Sequence, residues 1–293
     1  MSWTSVTELL KESEGVSLID LLIQRESEEQ GLPAPELRTK MGEVLDTMDA
    51  VSRQYDPELR SGSGLSGGQA ARYESRYQAG GLVGGPYFNA VIREALCCGE
   101  SNACMRRIVA APTAGSCGVL PAVLLPVLRE GTVSREDVID ALFVAGAFGE
   151  IIVSRATVSG AEGGCQAEIG SASAMAAAAL TYLYDGTAEM CANAAAFALA
   201  GLLGLVCDPI AGLVEVPCVK RNVTGAVQAV AAANLALAGL PSRIPCDEVI
   251  DAMGEVGSLL NADLRETGIG GLAGTPTGRS IAGRVLAHHR ENE

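Results

Sequence analysis

Three stretches of this sequence carry no charged residue and few large side chains: 169–184, 190–207 and 222–242. Alanine dominates all three. It is the strongest helix former and gives up no side-chain entropy on folding, so each stretch reads as a helix. A helix that is apolar on every side must be buried, and one made of alanine fills its surroundings only if its neighbours come close. By length the stretches could be short membrane spans, but they are rich in Ala and Gly rather than Leu and Ile. They also lack the aromatic belts and lysine-rich flanks of spans. Hydrophobic residues make up 48% of the chain and aromatics only 4%, which again favours close packing through small side chains. The fold expected is mainly α, a single helical domain with alanine- and glycine-rich helices buried at its centre.

Around these helices the chain divides by character. Residues 1–60 read as a helical N-terminal arm or outer layer. Ser17-x-x-Asp20 resembles a capping box before Leu18 to Ile23, and a second helix follows Pro33 and Pro35, with Leu37, Met41, Val44, Leu45, Met48 and Val51 on one face. Residues 61–285 read as the catalytic domain, and 286–293 as a polar tail. Ser134-x-x-Asp137 caps a further helix. A net charge of −14 and a pI near 4.6 leave no basic face for nucleic acid. The N-terminus has no apolar signal core, which implies a cytosolic protein, and nine cysteines in that compartment read as thiols or metal ligands rather than disulfides.

The stretch Gly204–Thr224 places Cys207 and Cys218 with ten residues between them, and Pro209 and Pro217 stiffen the backbone beside them. Cys165 lies in another glycine-flanked turn, within Ser159–Glu168. Buried small hydrophobes are one reading of such cysteines. The other is a ligand set. Structural zinc usually takes four ligands in close pairs, whereas three dispersed thiolates suit an iron–sulfur cluster with one open iron. Cys97, Cys98, Cys104 and Cys117 have no CxxC pair to anchor them and read as structural. The loop Ser61–Gly68 is glycine-rich without being a dinucleotide or phosphate loop. It is either a flexible linker or a turn whose amides bind a carboxylate.

SGAEGGCQAEIGSASAMAAAA, LGLVCDPIAGLVEVPCVKRN, AAPTAGSCG, IPCDEVIDAM and LRETGIGGLAGTPTG together resemble the alpha chain of the iron–sulfur-dependent L-serine dehydratases, over about residues 60–280. The resemblance implies a mostly helical domain and a [4Fe–4S] cluster held by Cys165, Cys207 and Cys218. It departs in one motif. Relatives commonly read SGLTGGDAxK where this chain has Ser63-Gly-Leu-Ser-Gly-Gly-Gln-Ala-Ala-Arg72, so Gln69 and Arg72 stand in place of an acid and a lysine. Ser66, Gly67 and Gly68 still match.

The chemistry implied is β-elimination from L-serine, giving pyruvate and ammonia, with the open iron as Lewis acid toward the β-hydroxyl. Ser66, Gly67, Gly68, Thr113, Ala114 and Gly115 could hold the substrate carboxylate, and Arg221 and Asn222 either act there or support the cysteine loop. A base must take the α-proton. The only histidines, His288 and His289, sit in the tail, and the family's Ser-Ser-His-Thr segment belongs to a beta chain or domain not found in this sequence. The expectation is therefore a hetero-oligomer whose beta chain completes the site, with Glu162 or Glu168 as internal alternatives for the base. Two rival readings are a related cluster lyase acting on another small substrate such as cysteine, and a non-catalytic metal or cluster scaffold.

Overall fold

In the computed structural model, which describes residues 3–291 with side chains to residue 287, the expected helices appear and no strand is found among the described residues. Helix α9 (Ser171–Leu183) lies at the centre. It is flanked by α7 (Arg135–Arg155), α10 (Ala188–Ala200) and α11 (Cys218–Leu237). Every residue of α9 from Ser171 to Thr181 is buried. Close approach follows from missing side-chain atoms. A Cβ on Gly149 of α7 would fall 2.8 Å from the Met175 methyl, and one on Gly225 of α11 would fall 2.7 Å from Ile169 Cγ2. Ser173 adds a hydrogen bond across the gap, its hydroxyl donating to the Gly225 carbonyl at 2.8 Å. None of the helices among the described residues is long and apolar enough to cross a membrane.

The N-terminal helices α1 (Val6–Glu12), α2 (Leu18–Gln30) and α3 (Ala34–Arg53) pack outside this centre yet share its core, with Trp3, Leu9, Leu22 and Leu45 fully buried. Ser17 caps α2 by accepting from the Asp20 amide, and Ser134 and Asp137 form the full reciprocal box at the start of α7. Helix α1 is fixed by a distant residue. The buried Asp247 carboxylate accepts from the amides of Val6 and Thr7 at 2.7 and 2.9 Å, satisfying donors that every helix start leaves open. Asp247 lies on α12 (Cys246–Leu259).

Helices α4 (Gln69–Gln78), α5 (Pro86–Ala103) and α6 (Val119–Glu130) form the side of the molecule on which the loops gather. The one-turn α8 (Gly160–Gly163) sits between α7 and α9, and α13 (Pro276–Glu291) follows α12. The start of the segment read as a polar tail thus continues α13, while the side chains of His288 and His289 lie outside the described residues.

Candidate functional site

The three cysteines singled out by sequence are all buried, at 2%, 3% and 8% exposure for Cys165, Cys207 and Cys218. Each is placed by a different device. Cys165 follows Gly164, whose φ of +77° and contacts exclude a side chain: a Cβ there would meet Leu260 at 2.6 Å and the Leu205 carbonyl at 3.0 Å. Cys207 lies in the loop after α10, and its backbone pairs with a later segment. Its amide donates to Leu264 O at 2.9 Å, and the Glu266 amide donates to its carbonyl at 2.7 Å. Cys218 is the first residue of α11, directly after Pro217.

Other side chains join these elements. Gln166 receives the Gly204 amide at 2.8 Å and donates to the carbonyls of Gly163 and Met253, tying the Cys165 turn to the Cys207 loop and to α12. Asn222 spends its whole carboxamide on the backbone. Its nitrogen donates to Gly115 O at 2.8 Å and Cys218 O at 3.0 Å, and its oxygen accepts from the Gly118 amide at 2.8 Å. Arg221 is committed as well, donating to Val206 O at 2.7 Å and pairing with Asp208 at 2.8 Å. Asp208 in turn accepts from the Leu272 amide at 2.7 Å. Arg221 thus braces the Cys207 loop, and Asn222 ties the Thr113–Gly118 turn to the start of α11.

A π-helical turn, Gln166–Gly170, links Cys165 to α9 and carries Glu168. Such turns recur at functional sites. The Glu168 carboxylate accepts from Thr113 Oγ1 at 2.8 Å and lies 4.0 Å from Cys207 Sγ. Two glycines make room for it. A Cβ on Gly160 would fall 2.8 Å from Glu168 Oε2 and 3.1 Å from Cys207 Sγ, and one on Gly115 would fall 3.0 Å from Glu168 Oε1. Burial raises the Glu168 pKa above the ordinary carboxylate value, Thr113 opposes the shift, and the charge of Glu266 adds to it. Glu162, the other candidate base, is exposed and accepts from Thr157.

The thiols feel one another. Cys207 is pushed far above the usual thiol range, first by its hydrogen bond with Cys165, then by burial and by the charges of Cys165, Glu168 and Glu266. Cys218 is pushed up to about 12, first by burial and then by the charges of Cys165 and Glu168, with Arg221 opposing. The upward shifts of Cys207 and Cys218 are what a bound cationic centre would reverse, since metal coordination deprotonates a thiol outright. Sulfur-only donors suit iron–sulfur clusters and other soft metals rather than magnesium or calcium. No three His, Cys, Asp or Glu side chains among the described residues converge tightly enough for one metal ion. An iron–sulfur cluster makes no such demand, because each thiolate binds its own iron.

The glycine-rich loop reaches this region by a second route. Glu215, three residues before Cys218, accepts from the hydroxyls of Ser61 and Ser63 at 2.6 and 2.8 Å, and Lys220 donates to Gln69 at 2.6 Å. Part of its backbone is engaged by a carboxylate of the chain itself. The buried Glu100 carboxylate on α5 accepts from Gly67, Gln69 and Ala70 at 2.9–3.0 Å. Sequence reasoning missed Glu100, because nothing in the spacing of α5 marks a carboxylate that caps another helix. Cys97 packs with Ala70, Leu96 and Val219, and Cys98 and Cys117 pack beside Val51. These thiols serve as core side chains, and Cys104 is half-buried near them.

Comparison with known proteins identifies a family. The family model described as "Serine dehydratase alpha chain" matches residues 13–273. A probable L-serine dehydratase alpha chain of Bacillus subtilis is 46% identical over 279 residues, covering 95% of this chain and 93% of the relative. The L-serine dehydratase alpha chain of Peptoniphilus asaccharolyticus is 42% identical over 268 residues, covering 91% and 92%. An L-serine dehydratase of Escherichia coli is 45% identical over 181 residues, 61% of this chain but only 40% of that longer protein. With a match that spans the cysteine loops and the helices that carry them, this chain belongs to the serine dehydratase alpha-chain family.

Proposed function

We propose that this chain is the alpha subunit of a two-chain, iron–sulfur-dependent L-serine dehydratase of the cytoplasm, converting L-serine to pyruvate and ammonia. The observation that carries the reading is the gathering of the Cys165, Cys207 and Cys218 thiols beside Gly160 and Glu168 in a chain of this family. Cys165, Cys207 and Cys218 would hold a [4Fe–4S] cluster. When bound, such a cluster supplies an open, Lewis-acidic iron that weakens the bond between the β-carbon and its hydroxyl.

The chain's own residues do the rest. Asn222 and Arg221 fix the loops on which Cys207 and Cys218 ride. Thr113 orients Glu168, whose raised pKa suits it to hold a proton close to the thiols. Loss of the α-proton and the β-hydroxyl releases water and leaves aminoacrylate, which tautomerises to the imine and is hydrolysed to pyruvate and ammonia. A histidine of the beta chain takes the α-proton in this reading, since the family's histidine-bearing Ser-Ser-His-Thr segment belongs to that chain.

The test is anaerobic. Purified protein should show broad visible absorbance with iron and acid-labile sulfide, and Cys165→Ser, Cys207→Ser and Cys218→Ser should each abolish it, while Cys97→Ser and Cys246→Ser should not. Retained iron and sulfide after losing Cys207 would sink the ligand assignment. Serine deamination should require the beta chain. Full turnover by the isolated, cluster-loaded chain would move the base to Glu168, which Glu168→Gln would then check.

A further inference from the structure

One reading of the loop Ser61–Gly68 was that its amides bind a substrate carboxylate, yet the amides of Gly64 to Gly67 are used within the chain. Gly64 donates to Ser61 O at 2.9 Å, Leu65 to Ser63 Oγ at 3.1 Å, and Ser66 to Ser61 Oγ at 3.1 Å. Gly67 donates to Glu100, as do Gln69 and Ala70, the first two residues of α4. The amide nest is real, and its anion is Glu100. That carboxylate is 1% exposed and takes one further donor, the Tyr55 hydroxyl at 2.6 Å. Burial and this bond push the Tyr55 pKa upward.

The loop could not take this path with other residues. Gly67 has φ +123°, and a Cβ there would lie 2.1 Å from the Leu59 carbonyl. Glu215 clamps the opposite end through Ser61 and Ser63. Between the two carboxylates one donor stands apart. The Ser66 hydroxyl is buried, at 2% exposure, and has no hydrogen-bond partner. A buried hydroxyl left without a partner is destabilising, so its presence calls for a ligand group to satisfy it.

We propose that Glu100 is a positioning residue: by holding the amides of Gly67, Gln69 and Ala70 it fixes the loop so that the Ser66 hydroxyl receives the substrate carboxylate. The inference rests on the serine-dehydratase reading. It assigns the turn's glycines to shape and its specificity to one side chain. Glu215 and Lys220 hold the loop against the Cys218 end of α11, which brings this subsite to the cysteine site.

The test uses the complete enzyme, cluster-loaded and with its beta chain, and reads KM and kcat for L-serine together with visible absorbance. Glu100→Gln keeps the shape but places an amide NH2 against donors. It should raise KM about tenfold with kcat changed less than about threefold and the absorbance unaltered. Ser66→Ala should do the same, and the double variant should be little worse than either, because both remove one contact. Hydrogen exchange at Gly67, Gln69 and Ala70 should quicken in Glu100→Gln and stay unchanged in Ser66→Ala. If Glu100→Gln folds too poorly to assay, Tyr55→Phe gives a milder loosening of the same carboxylate, with a smaller rise in KM. Unchanged KM in Glu100→Gln and Ser66→Ala, in an enzyme that deaminates serine, overturns the positioning role alone. Parallel loss of kcat and absorbance would instead make Glu100 a support of the fold and also overturn it. A complete enzyme inert toward serine sinks the serine reading and this inference with it.

Discussion

Asn222→Ala should weaken the fold by about 3 kcal/mol, because Asn222 is the one side chain that joins the Thr113–Gly118 turn to the start of α11. The residue is 2% exposed and makes three hydrogen bonds, all to backbone. Truncation leaves the buried Gly118 amide without its acceptor, which costs about 1–3 kcal/mol, and withdraws a donor from two carbonyls at roughly 0.5–1 kcal/mol each. The void left by the carboxamide adds to this. The assay is urea unfolding of the anaerobically purified chain, followed by far-UV circular dichroism. With a slope near 3 kcal/mol/M for a chain of this size, the midpoint should fall by roughly 1 M with the slope unchanged. Asn222→Asp keeps the acceptor for Gly118 but loses both donors and buries a charge, so it should fall at least as far. A midpoint within about 0.2 M of the parent for Asn222→Ala would refute the view that this carboxamide welds the two loops.

Gly225→Val should destabilise by about 2 kcal/mol in the same assay, since its Cβ alone would lie 2.7 Å from Ile169 and 3.1 Å from Val119; a neutral result would show that α9 and α11 can move apart. Gly160→Ala should lower iron and sulfide content while leaving the helical signal intact, because the added methyl meets Glu168 and Cys207; normal iron content would show that the hollow has room to spare. Cluster-free protein should lose stability in alkali. Burial raises the thiols of Cys117, Cys191 and Cys246 from about 9 to about 12, so the folded state keeps protons that the unfolded chain gives up. Their contribution is intact below pH about 9 and is lost as pH rises toward about 12. An unfolding midpoint that stays flat from pH 8 to 11 would contradict it.

The helical plan was legible because its signals are local. Caps at Ser17 and Ser134 act over three residues, and the apolar alanine segments declare their burial by composition. Gly164, Pro209 and Pro217 mark constrained backbone beside Cys165, Cys207 and Cys218, and all three thiols are buried. Partners far apart in the chain were not legible. Glu100 reaches 33 residues back to Gly67, and Asp247 reaches 241 residues back to Val6, with no periodicity to announce either. Arg221 shows the same limit from the other side. Its charge beside Cys218 suggests an anion subsite, but Asp208, thirteen residues earlier in an irregular loop, has already taken it. A count of glycines identifies an anion nest without saying which anion fills it.

The backbone pairing of Cys207 with Leu264 and Glu266 sets an order of events during synthesis. Cys165, Cys207 and Cys218 all leave the ribosome well before the segment that holds Cys207 in place. Until residue 266 emerges, the amide and carbonyl of Cys207 have only water to bind, and its thiol has no fixed direction. The arrangement of the three sulfurs thus takes shape only after residue 266 has been made. A nascent chain stalled before this point would present three loose thiols instead of one organised site.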